Sequence, residues 1–346
     1  MAASIHCQIP LSRRLAASGI FVLQHVFPKS ARLEAARRKN VERILRKMPA
    51  GKTLAVERRR DLTPAEFVRG YLNAGLPVIF DGGASAWECT RSWSLDYFAS
   101  RFADEEFPLV ETTGLVEAGH DRTAGKDRPV LTGRLTARQF VDAVRGGEKP
   151  YLRFCPIMET HPELSEHLDQ GWLQSFRRCF LGVSYQTFIG PAGRTTPLHS
   201  ETTAFFYIQA DGEKTWRLFS PAALALINPA PDGRGYNFSR VKVTSPDLER
   251  YPGFDRLTRY ECHLKKGDIL FVPAWMWHEV ENSTEGWALS YRFTSLRGFF
   301  RFPAFVFIRL FLTRPSFLEI FYYSFFRKDI DRRDKNLLTP RIFLKG

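Results

Sequence analysis

Thr195-Thr196-Pro197-Leu198-His199-Ser200-Glu201 is the stretch that decides how this chain is organised. If it forms a strand, His199 and Glu201 point to the same face, because successive side chains alternate across a pleated strand. One imidazole and one carboxylate then share a pocket. A later stretch, Gly267-Asp268-Ile269-Leu270-Phe271-Val272-Pro273, is followed by His278. His278 is therefore the candidate for a third ligand from a distant strand.

Two histidines and one carboxylate on one side of a metal leave the opposite coordination positions open. Non-haem Fe(II) oxygenases use this arrangement. The tripeptide His-x-Glu is a weak signal alone, because the chain contains 8 histidines and 37 acidic residues. Its context is stronger, since an apolar run at 185–189 and the turn sequence Gly-Pro-Ala-Gly at 190–193 precede it. The pattern therefore favours a metal site within a β structure.

The pair Asp211-Gly212, between two strand-like runs, predicts a two-residue β-hairpin. In such a hairpin Tyr207 faces Trp216, and alternation places Lys214 on the same apolar side as Trp216. A lysine that points into a barrel is costly to bury as an unpaired ammonium. We therefore expect a protein carboxylate or a ligand to meet Lys214.

Over residues 181–295 the chain resembles the Jumonji-C (JmjC) and cupin-like 2-oxoglutarate dioxygenases. Within them it is most similar to the asparaginyl hydroxylases that act on hypoxia-inducible factor. The resemblance is carried by four segments in the family's order and spacing. They are IGPAGRTTPLHSE at 189–201, GEKTWRLFSP at 212–221, DLERYPGFD at 247–255 and KKGDILFVPAWMWHEVEN at 265–282.

The resemblance implies both a fold and an activity. The fold is mainly β, a double-stranded β-helix of the jelly-roll type with flanking helices and a C-terminal helical extension. The activity is that of an Fe(II)- and 2-oxoglutarate-dependent dioxygenase that hydroxylates a C–H bond. Fe(II) would be held by the catalytic ligands His199, Glu201 and His278.

Binding of the cosubstrate follows from the same resemblance. Lys214 and Thr196 would bind the distal carboxylate of 2-oxoglutarate, helped by Tyr151 in the upstream segment YLRF. Arg292, on the strand after His278, is the alternative anchor, because an arginine has that role in other branches of the superfamily. We rank Lys214 above Arg292.

Two features depart from the family's pattern. Most cupin-like members carry aspartate where this chain has Glu201, although histone-demethylase relatives use glutamate there. Where the asparaginyl hydroxylases place amides beside the metal, this chain has Phe205 and Arg292, and Arg153 also alters the pocket. We therefore expect iron to be retained and the substrate side to differ.

The expected substrate is a protein or peptide side chain. A small molecule or a lipid is the first alternative. A cupin-like barrel that binds metal or ligand without turnover is the second. The inward lysine together with all three ligand positions favours the oxygenase, since a barrel without turnover needs neither.

Length and composition predict three parts. A chain of 346 residues with 44% apolar composition can bury a large core. We expect a basic, partly helical N-terminal extension at 1–60, a JmjC/cupin-like catalytic domain at 61–297 with its barrel core at 150–297, and an apolar, basic helical extension at 298–346.

Local patterns ahead of the barrel predict several elements. Thr63 and Pro64 are typical of a helix start, and that helix extends to residue 73. Residues 77–80 predict a buried strand, and a helix at 135–144 begins near Thr136. The polar, glycine-containing residues 111–134 predict a loop.

Cysteine usage indicates a reducing compartment. The 5 cysteines are odd in number, widely scattered and without a Cys-x-x-Cys pair, which also argues against structural zinc. We expect an intracellular, cytoplasmic protein. Residues 1–33 contain no acidic residue and loosely resemble a transit peptide. Mitochondrial targeting and peripheral membrane association are therefore kept as alternatives.

Positive charge is concentrated at the two ends of the chain. Residues 1–60 hold 14 Lys and Arg against 3 acidic residues, and residues 297–346 hold 11 against 4, within a net charge of +13. Clustered positive charge attracts anionic lipid or nucleic acid. The sequence contains no motif of the known nucleic-acid-binding modules, so nucleic acid is not an expected partner.

The C-terminal region is rich in phenylalanine from residue 299 to residue 326. Arg301, Arg309 and Arg314 interrupt its apolar runs before they reach the length that spans a bilayer. Three alternatives remain: packing on the barrel, a dimer interface, or an anchor that lies in the plane of a membrane. We favour a homodimer formed through C-terminal helices, because the family member that the chain resembles most dimerises in this way.

Overall fold

Two β-sheets form the centre of the computed structural model, which describes residues 8–111, 130–176, 181–231, 237–313 and 316. The strands, in chain order, are β1 (Thr53–Ala55), β2 (Glu57–Arg59), β3 (Val78–Phe80), β4 (Glu106–Glu111), β5 (Val130–Thr136), β6 (Leu152–Cys155), β7 (Leu181–Gly190), β8 (Thr195–Ser200), β9 (Ala204–Gln209), β10 (Lys214–Phe219), β11 (Asn237–Phe238), β12 (Arg259–Leu264), β13 (Ile269–Val272), β14 (Trp277–Asn282) and β15 (Gly286–Thr294).

The order of the strands defines a jelly roll. One sheet has the order β1-β12-β10-β14-β8-β11, and the other has the order β2-β3-β13-β9-β15-β7-β6. From β7 to β10 and again from β12 to β15, successive strands alternate between the two sheets. This alternation, with antiparallel pairing among these eight strands, confirms the predicted double-stranded β-helix. The strands β4 and β5 form a separate pair.

Helices surround the barrel. They are α1 (Leu11–Val26), α2 (Ala31–Leu45), α3 (Pro64–Phe67), α4 (Glu88–Ser92), α5 (Leu95–Arg101), α6 (Ala137–Arg145), α7 (Ile157–Thr160), α8 (Gln170–Ser175), α9 (Leu224–Ile227), α10 (Leu296–Phe299) and α11 (Pro303–Phe307). Short segments of other helix types occur at Val68–Leu72, Pro162–His167, Pro221–Ala223, Phe254–Arg256 and Ile308–Leu312.

Two helix starts predicted from the sequence are confirmed. Thr63 caps α3 and Thr136 caps α6, each through a reciprocal capping box with the residue three positions later. The buried strand predicted at 77–80 corresponds to β3. The loop predicted at 111–134 is wrong at both of its ends, because residue 111 belongs to β4 and residues 130–134 belong to β5, which pairs with β4. The rest of that loop, 112–129, lies outside the described residues.

The predicted hairpin at Asp211-Gly212 is wrong. β9 pairs with β13 and β15, whereas β10 pairs with β12 and β14. Asp211 exchanges two backbone hydrogen bonds with Trp287 at 2.9 and 3.1 Å instead of closing a ladder between β9 and β10. The turn therefore carries the chain from one sheet to the other, as the jelly-roll topology requires.

The inward face predicted for β10 is nevertheless confirmed. Lys214, Trp216 and Leu218 are buried, whereas the two residues between them are partly exposed. The rings of Tyr207 and Trp216 meet across the barrel interior, with centroids 4.7 Å apart. Side-chain alternation depends on the strand itself and not on its pairing partner, so the burial prediction was correct although the pairing was not.

Aromatic side chains pack the helices onto the outside of the barrel. Phe67 of α3 lies against Phe176 and Phe271, with ring centroids 5.2 and 4.7 Å apart. Trp275 and Trp277 are also buried. Within the described part of the chain, no helix has the length and apolar character needed to cross a bilayer.

Candidate metal centre

Three buried side chains converge inside the barrel. His199 lies in β8, Glu201 directly follows β8, and His278 lies in β14. His199 and His278 are opposite each other in the antiparallel register of β8 and β14, and their ring centroids are 4.1 Å apart. One potential ligand atom from each of the three residues lies within 4.8 Å of the other two. The structure therefore brings the three predicted ligands together.

Backbone carbonyl groups orient both imidazoles. Nδ1 of His199 lies 2.8 Å from the carbonyl oxygen of Pro197, and Nδ1 of His278 lies 2.9 Å from that of Met276. A carbonyl oxygen can only accept, so each Nδ1 carries the proton. Each Nε2 is then left with its lone pair for a metal, and such carbonyl contacts are the usual support for histidine ligands.

Both imidazoles are neutral at physiological pH. Burial lowers the pKa of His278 to about 4. The pKa of His199 lies well below its ordinary value because of burial, followed by the charges of His278 and Arg153. A neutral imidazole does not have to lose a proton before it binds a metal. The site is therefore in the protonation state that metal binding requires.

One oxygen of Glu201 faces the imidazoles and the other is held by an arginine. Oε1 lies 3.9 Å from Nε2 of His278, and Oε2 forms an ion pair with Arg292. Arg292 also donates to Oε1 of Gln186 at 2.6 Å and to the hydroxyl of Thr203 at 2.8 Å. Arg292 is thus fixed by three partners, and it leaves one carboxylate oxygen of Glu201 for a metal.

The pocket around these ligands is narrow. Its volume is about 30 Å³, which is enough for about one or two water molecules. 2-Oxoglutarate would therefore need side chains in the wall to move. The side chains that line this wall include Tyr151, Arg153, Thr196, Phe205, Trp216 and Arg292.

The predicted anchors of 2-oxoglutarate lie close together. Tyr151 and Thr196 line the pocket and are hydrogen-bonded to each other. Lys214 lies beside them, with Nζ 5.8 Å from the centroid of the Tyr151 ring, and donates to the amide oxygen of Asn282. Burial lowers the pKa of Lys214 to about 7. Its described partner is thus a neutral amide and not the protein carboxylate that was one of two expectations.

An irregularity in β6 turns two neighbouring side chains into the pocket. Regular alternation would place Arg153 and Phe154 on opposite faces. The register of β6 and β7 shifts between Arg153 and Cys155, and Phe154 adopts the left-handed conformation with φ 55°. Both residues consequently line the pocket. Bulges that re-aim side chains in this way are frequent next to functional sites.

Sequence reasoning missed three supporting residues. Gln186 and Thr203 fix Arg292, and Asn282 accepts from Lys214. Asn282 lies directly opposite Lys214 in the pairing of β10 and β14. The pairing of distant strands was the missing signal, since no local pattern marks an asparagine as the partner of a particular lysine.

Three other histidines have partners of their own outside the pocket. Nδ1 of His167 accepts from the indole of Trp93 at 2.9 Å, and His161 contacts Glu105 at 2.5 Å. His263 contacts Glu213 at 2.7 Å. His120 lies outside the described residues. In the ranges that the structure describes, the cluster of His199, Glu201 and His278 is the one group of this kind.

A jelly roll that buries two imidazoles and one carboxylate in its interior defines a barrel of the cupin type. The chain belongs to the Cupin-like domain family, whose model matches residues 64–297. This match covers the barrel and the helices that precede it. It confirms the prediction that the chain is a member of the cupin-like family.

The chain is also similar, at low sequence identity, to individual proteins. The chain is 28% identical over 218 residues to lysine-specific demethylase 8 of Xenopus tropicalis, which covers 61% of this chain and 46% of that protein. It is 26% identical over 242 residues to tRNA wybutosine-synthesizing protein 5 of Gallus gallus, covering 66% and 74%. The chain thus spans about half the length of the demethylase. The particular likeness to the asparaginyl hydroxylases stays a prediction.

Proposed function

We propose that this chain is an Fe(II)- and 2-oxoglutarate-dependent oxygenase that hydroxylates a C–H bond. The observation that carries the proposal is the burial of two neutral imidazoles and one carboxylate within ligand distance of one another. Two nitrogen donors and one oxygen donor on one side suit Fe(II) and leave positions open for other ligands. When bound, iron would activate O2, which is the oxidant, and 2-oxoglutarate would be oxidised together with the substrate and leave as succinate and CO2.

Lys214 supports this proposal as the anchor of the cosubstrate. A carboxylate that reached Lys214 would replace a hydrogen bond to a neutral amide with an ion pair, which is stronger when both groups are charged. Tyr151 lines the pocket and its ring centroid lies 5.8 Å from Nζ of Lys214, so a carboxylate bound beside Tyr151 would lie near Lys214. Arg292 is less suited to this role, because it is already committed to Glu201, Gln186 and Thr203.

The charge of the pocket indicates which substrate groups it can accommodate. Arg153 and Arg292 line it, and among the described lining residues Glu201 is the sole acidic one. Glu201 is committed to the metal and to Arg292. A neutral or anionic group therefore suits the pocket better than a cation does. A methylated lysine, which the name of the demethylase relative suggests for that protein, would bring a positive charge towards two arginines.

We further propose that the substrate is a protein or peptide side chain of neutral or anionic character. A small molecule or a lipid of the same charge is the alternative. The test is succinate release from 2-oxoglutarate with a cell extract that is separated into protein and small-molecule fractions. Activity with the protein fraction is expected. Activity confined to the small-molecule fraction would contradict a protein substrate and favour a small molecule or a lipid.

Metal binding tests the site independently of turnover. Anaerobic titration with Fe(II), and with Co(II) as a spectroscopic probe, is expected to show one metal per chain. His199→Ala and His278→Ala should each abolish stoichiometric binding. The matched control is His263→Ala, because this imidazole is exposed and lies in β12 on the outside of the barrel. If both ligand variants still bind one metal per chain, the assignment of His199 and His278 as metal ligands is wrong.

A further inference from the structure

The N-terminal helix and the C-terminal segment pack against each other, and we call the surface that they form the terminal face. It consists of α1 and residues 295–313. α1 contacts α11 and the turn that follows it, and the rings of Phe21 and Phe305 meet edge to face at 6.0 Å. These buried contacts join the two segments. They also leave the opposite sides of both segments turned away from the barrel.

Large apolar side chains remain exposed on the terminal face. Leu15 has 63% of its surface exposed, and Phe300 has 59%. Of the ten large exposed apolar side chains in the described residues, nine lie on this face or directly after α1. They are Leu11, Leu15, Leu23, Val26, Phe27, Leu296, Phe300, Phe307 and Phe311. Exposed apolar side chains concentrated in two segments that contact each other indicate an interaction site.

The charge of the terminal face has one sign. α1 contains 2 arginines and no acidic residue, and residues 295–313 contain 3 arginines and no acidic residue. The positive charge therefore lies among the exposed apolar side chains, within the same short segments. A partner for this face must be apolar at its centre and negatively charged at its surface.

A cavity opens between the two segments and the barrel. It has a volume of about 440 Å³ and includes Arg14 of α1 and Arg301 among its lining residues. Burial and the charge of Arg297 lower the pKa of Arg301, so cations are crowded here. None of the described residues that line the cavity is acidic. Its size and charge suit an anionic head group.

A second copy of the chain meets these requirements poorly. A twofold dimer places the same patch of each subunit against itself, so the terminal face would set its cations against identical cations. An anionic bilayer offers the opposite charge together with an apolar interior. Phenylalanine and leucine between basic side chains are typical of segments that lie in the plane of a membrane.

We propose that the terminal face docks the protein onto an anionic lipid bilayer. The exposed phenylalanines enter the boundary between head groups and acyl chains, and the arginines contact the lipid phosphates. The proposal concerns adsorption to the surface. It is independent of the chemistry in the barrel.

Flotation of the full chain with vesicles tests this proposal. We expect the protein to float with vesicles of phosphatidylcholine and phosphatidylglycerol, and to remain at the bottom with phosphatidylcholine alone. Binding should weaken as salt concentration rises, because the attraction between surface charges is screened. The variants Arg297→Gln/Arg301→Gln and Phe300→Ser/Phe307→Ser should each reduce the bound fraction at least tenfold.

The matched control is Leu248→Ser/Lys265→Gln, which removes one exposed apolar side chain and one exposed cation from other surfaces. It should bind as the unchanged protein does. Circular dichroism and metal titration confirm that all variants are folded. Absence of flotation with anionic vesicles, or equal flotation of all variants, would overturn the proposal. So would a dimer in sedimentation velocity that the terminal-face variants dissociate, since the face would then join two copies.

Discussion

Two buried cations of the barrel have different tasks, and their contacts separate them. Arg292 forms an ion pair with the candidate ligand Glu201 and is fixed by two further side chains. Lys214 has a neutral amide as its described partner. A buried ammonium without a negative partner destabilises the folded state. Lys214 is therefore the residue that gains most from an anionic ligand.

Lys214→Met should abolish 2-oxoglutarate binding and change the pH dependence of stability. The pKa of Lys214 is about 7 in the folded protein, below its ordinary 10.5. The unfolded chain then binds more protons between these values, so this group makes stability rise with pH from about 7 to 10.5. Thermal unfolding of the apo protein should show this slope, and the variant should lack it. Calorimetry should show 2-oxoglutarate affinity falling above about pH 7 in the unchanged protein.

Arg292→Met is the comparison for that experiment. It should retain 2-oxoglutarate binding once the site is saturated with metal. If this variant loses the cosubstrate and Lys214→Met keeps it, the anchor is Arg292 and our ranking is wrong.

Arg292→Lys should weaken metal binding, because lysine cannot hold Glu201, Gln186 and Thr203 together. Loss of a group that orients a ligand typically costs about 10–100-fold in metal affinity, and we expect a loss of this size for Co(II). The measurement is a titration followed by the visible absorption of bound Co(II). Arg217→Lys is the control, since Arg217 pairs with Glu279 and Glu281 away from the pocket. Equal affinities in both variants would contradict a role for Arg292 in orienting Glu201.

At the scale of elements, the turn after β9 decides whether the chain can change sheets. Gly212 has φ +73°, and a Cβ there would overlap the carbonyl oxygen of Glu285. Gly212→Ala should therefore destabilise the fold by more than the roughly 1–2 kcal/mol that a left-handed conformation costs other residues. Chemical denaturation measures this difference.

Two other glycines separate the cost of the left-handed conformation from the cost of the overlap with Glu285. Gly147 has φ +87° and open space where a Cβ would lie, and Gly133 has neither a positive φ nor a close neighbour. Gly147→Ala should cost about 1–2 kcal/mol, and Gly133→Ala should have little effect. If Gly212→Ala is no worse than Gly147→Ala, the contact with Glu285 does not constrain the turn.

The elements also show which features the sequence could predict. The burial of Lys214 and Trp216 follows from alternation within one strand and needed no knowledge of the fold. The convergence of His199 and His278 followed from the family's spacing. The pairing of β10 with β12 and β14 could not be predicted locally, because Asp-Gly turns serve both hairpins and passages between sheets. The bulge at Phe154 has no sequence signal that we recognise.

At the scale of the whole molecule, α1 and residues 295–313 pack against each other and onto the barrel. Phe305 of α11 lies against Phe21 of α1 at 6.0 Å and against Trp275 at 5.3 Å. The loop that contains Trp275 supports the candidate ligands: its backbone N–H donates to the carbonyl oxygen of Glu201 at 2.8 Å, and the next residue, Met276, accepts from His278. The C-terminal segment is thereby connected to the metal centre through a single loop.

Phe305→Ala tests this connection. Removal of a buried phenylalanine typically costs about 3–5 kcal/mol, and Phe305 is 2% exposed. We expect a loss of stability in this range, measured by chemical denaturation, together with weaker Co(II) binding because the Trp275 loop loses its support. Phe307→Ala is the matched control, since Phe307 lies in the same helix and is 46% exposed. Its effect should stay within about 0.5 kcal/mol, as is usual at the surface. If both variants bind metal and resist denaturant equally, the C-terminal segment is an attachment to the barrel and does not support its metal centre.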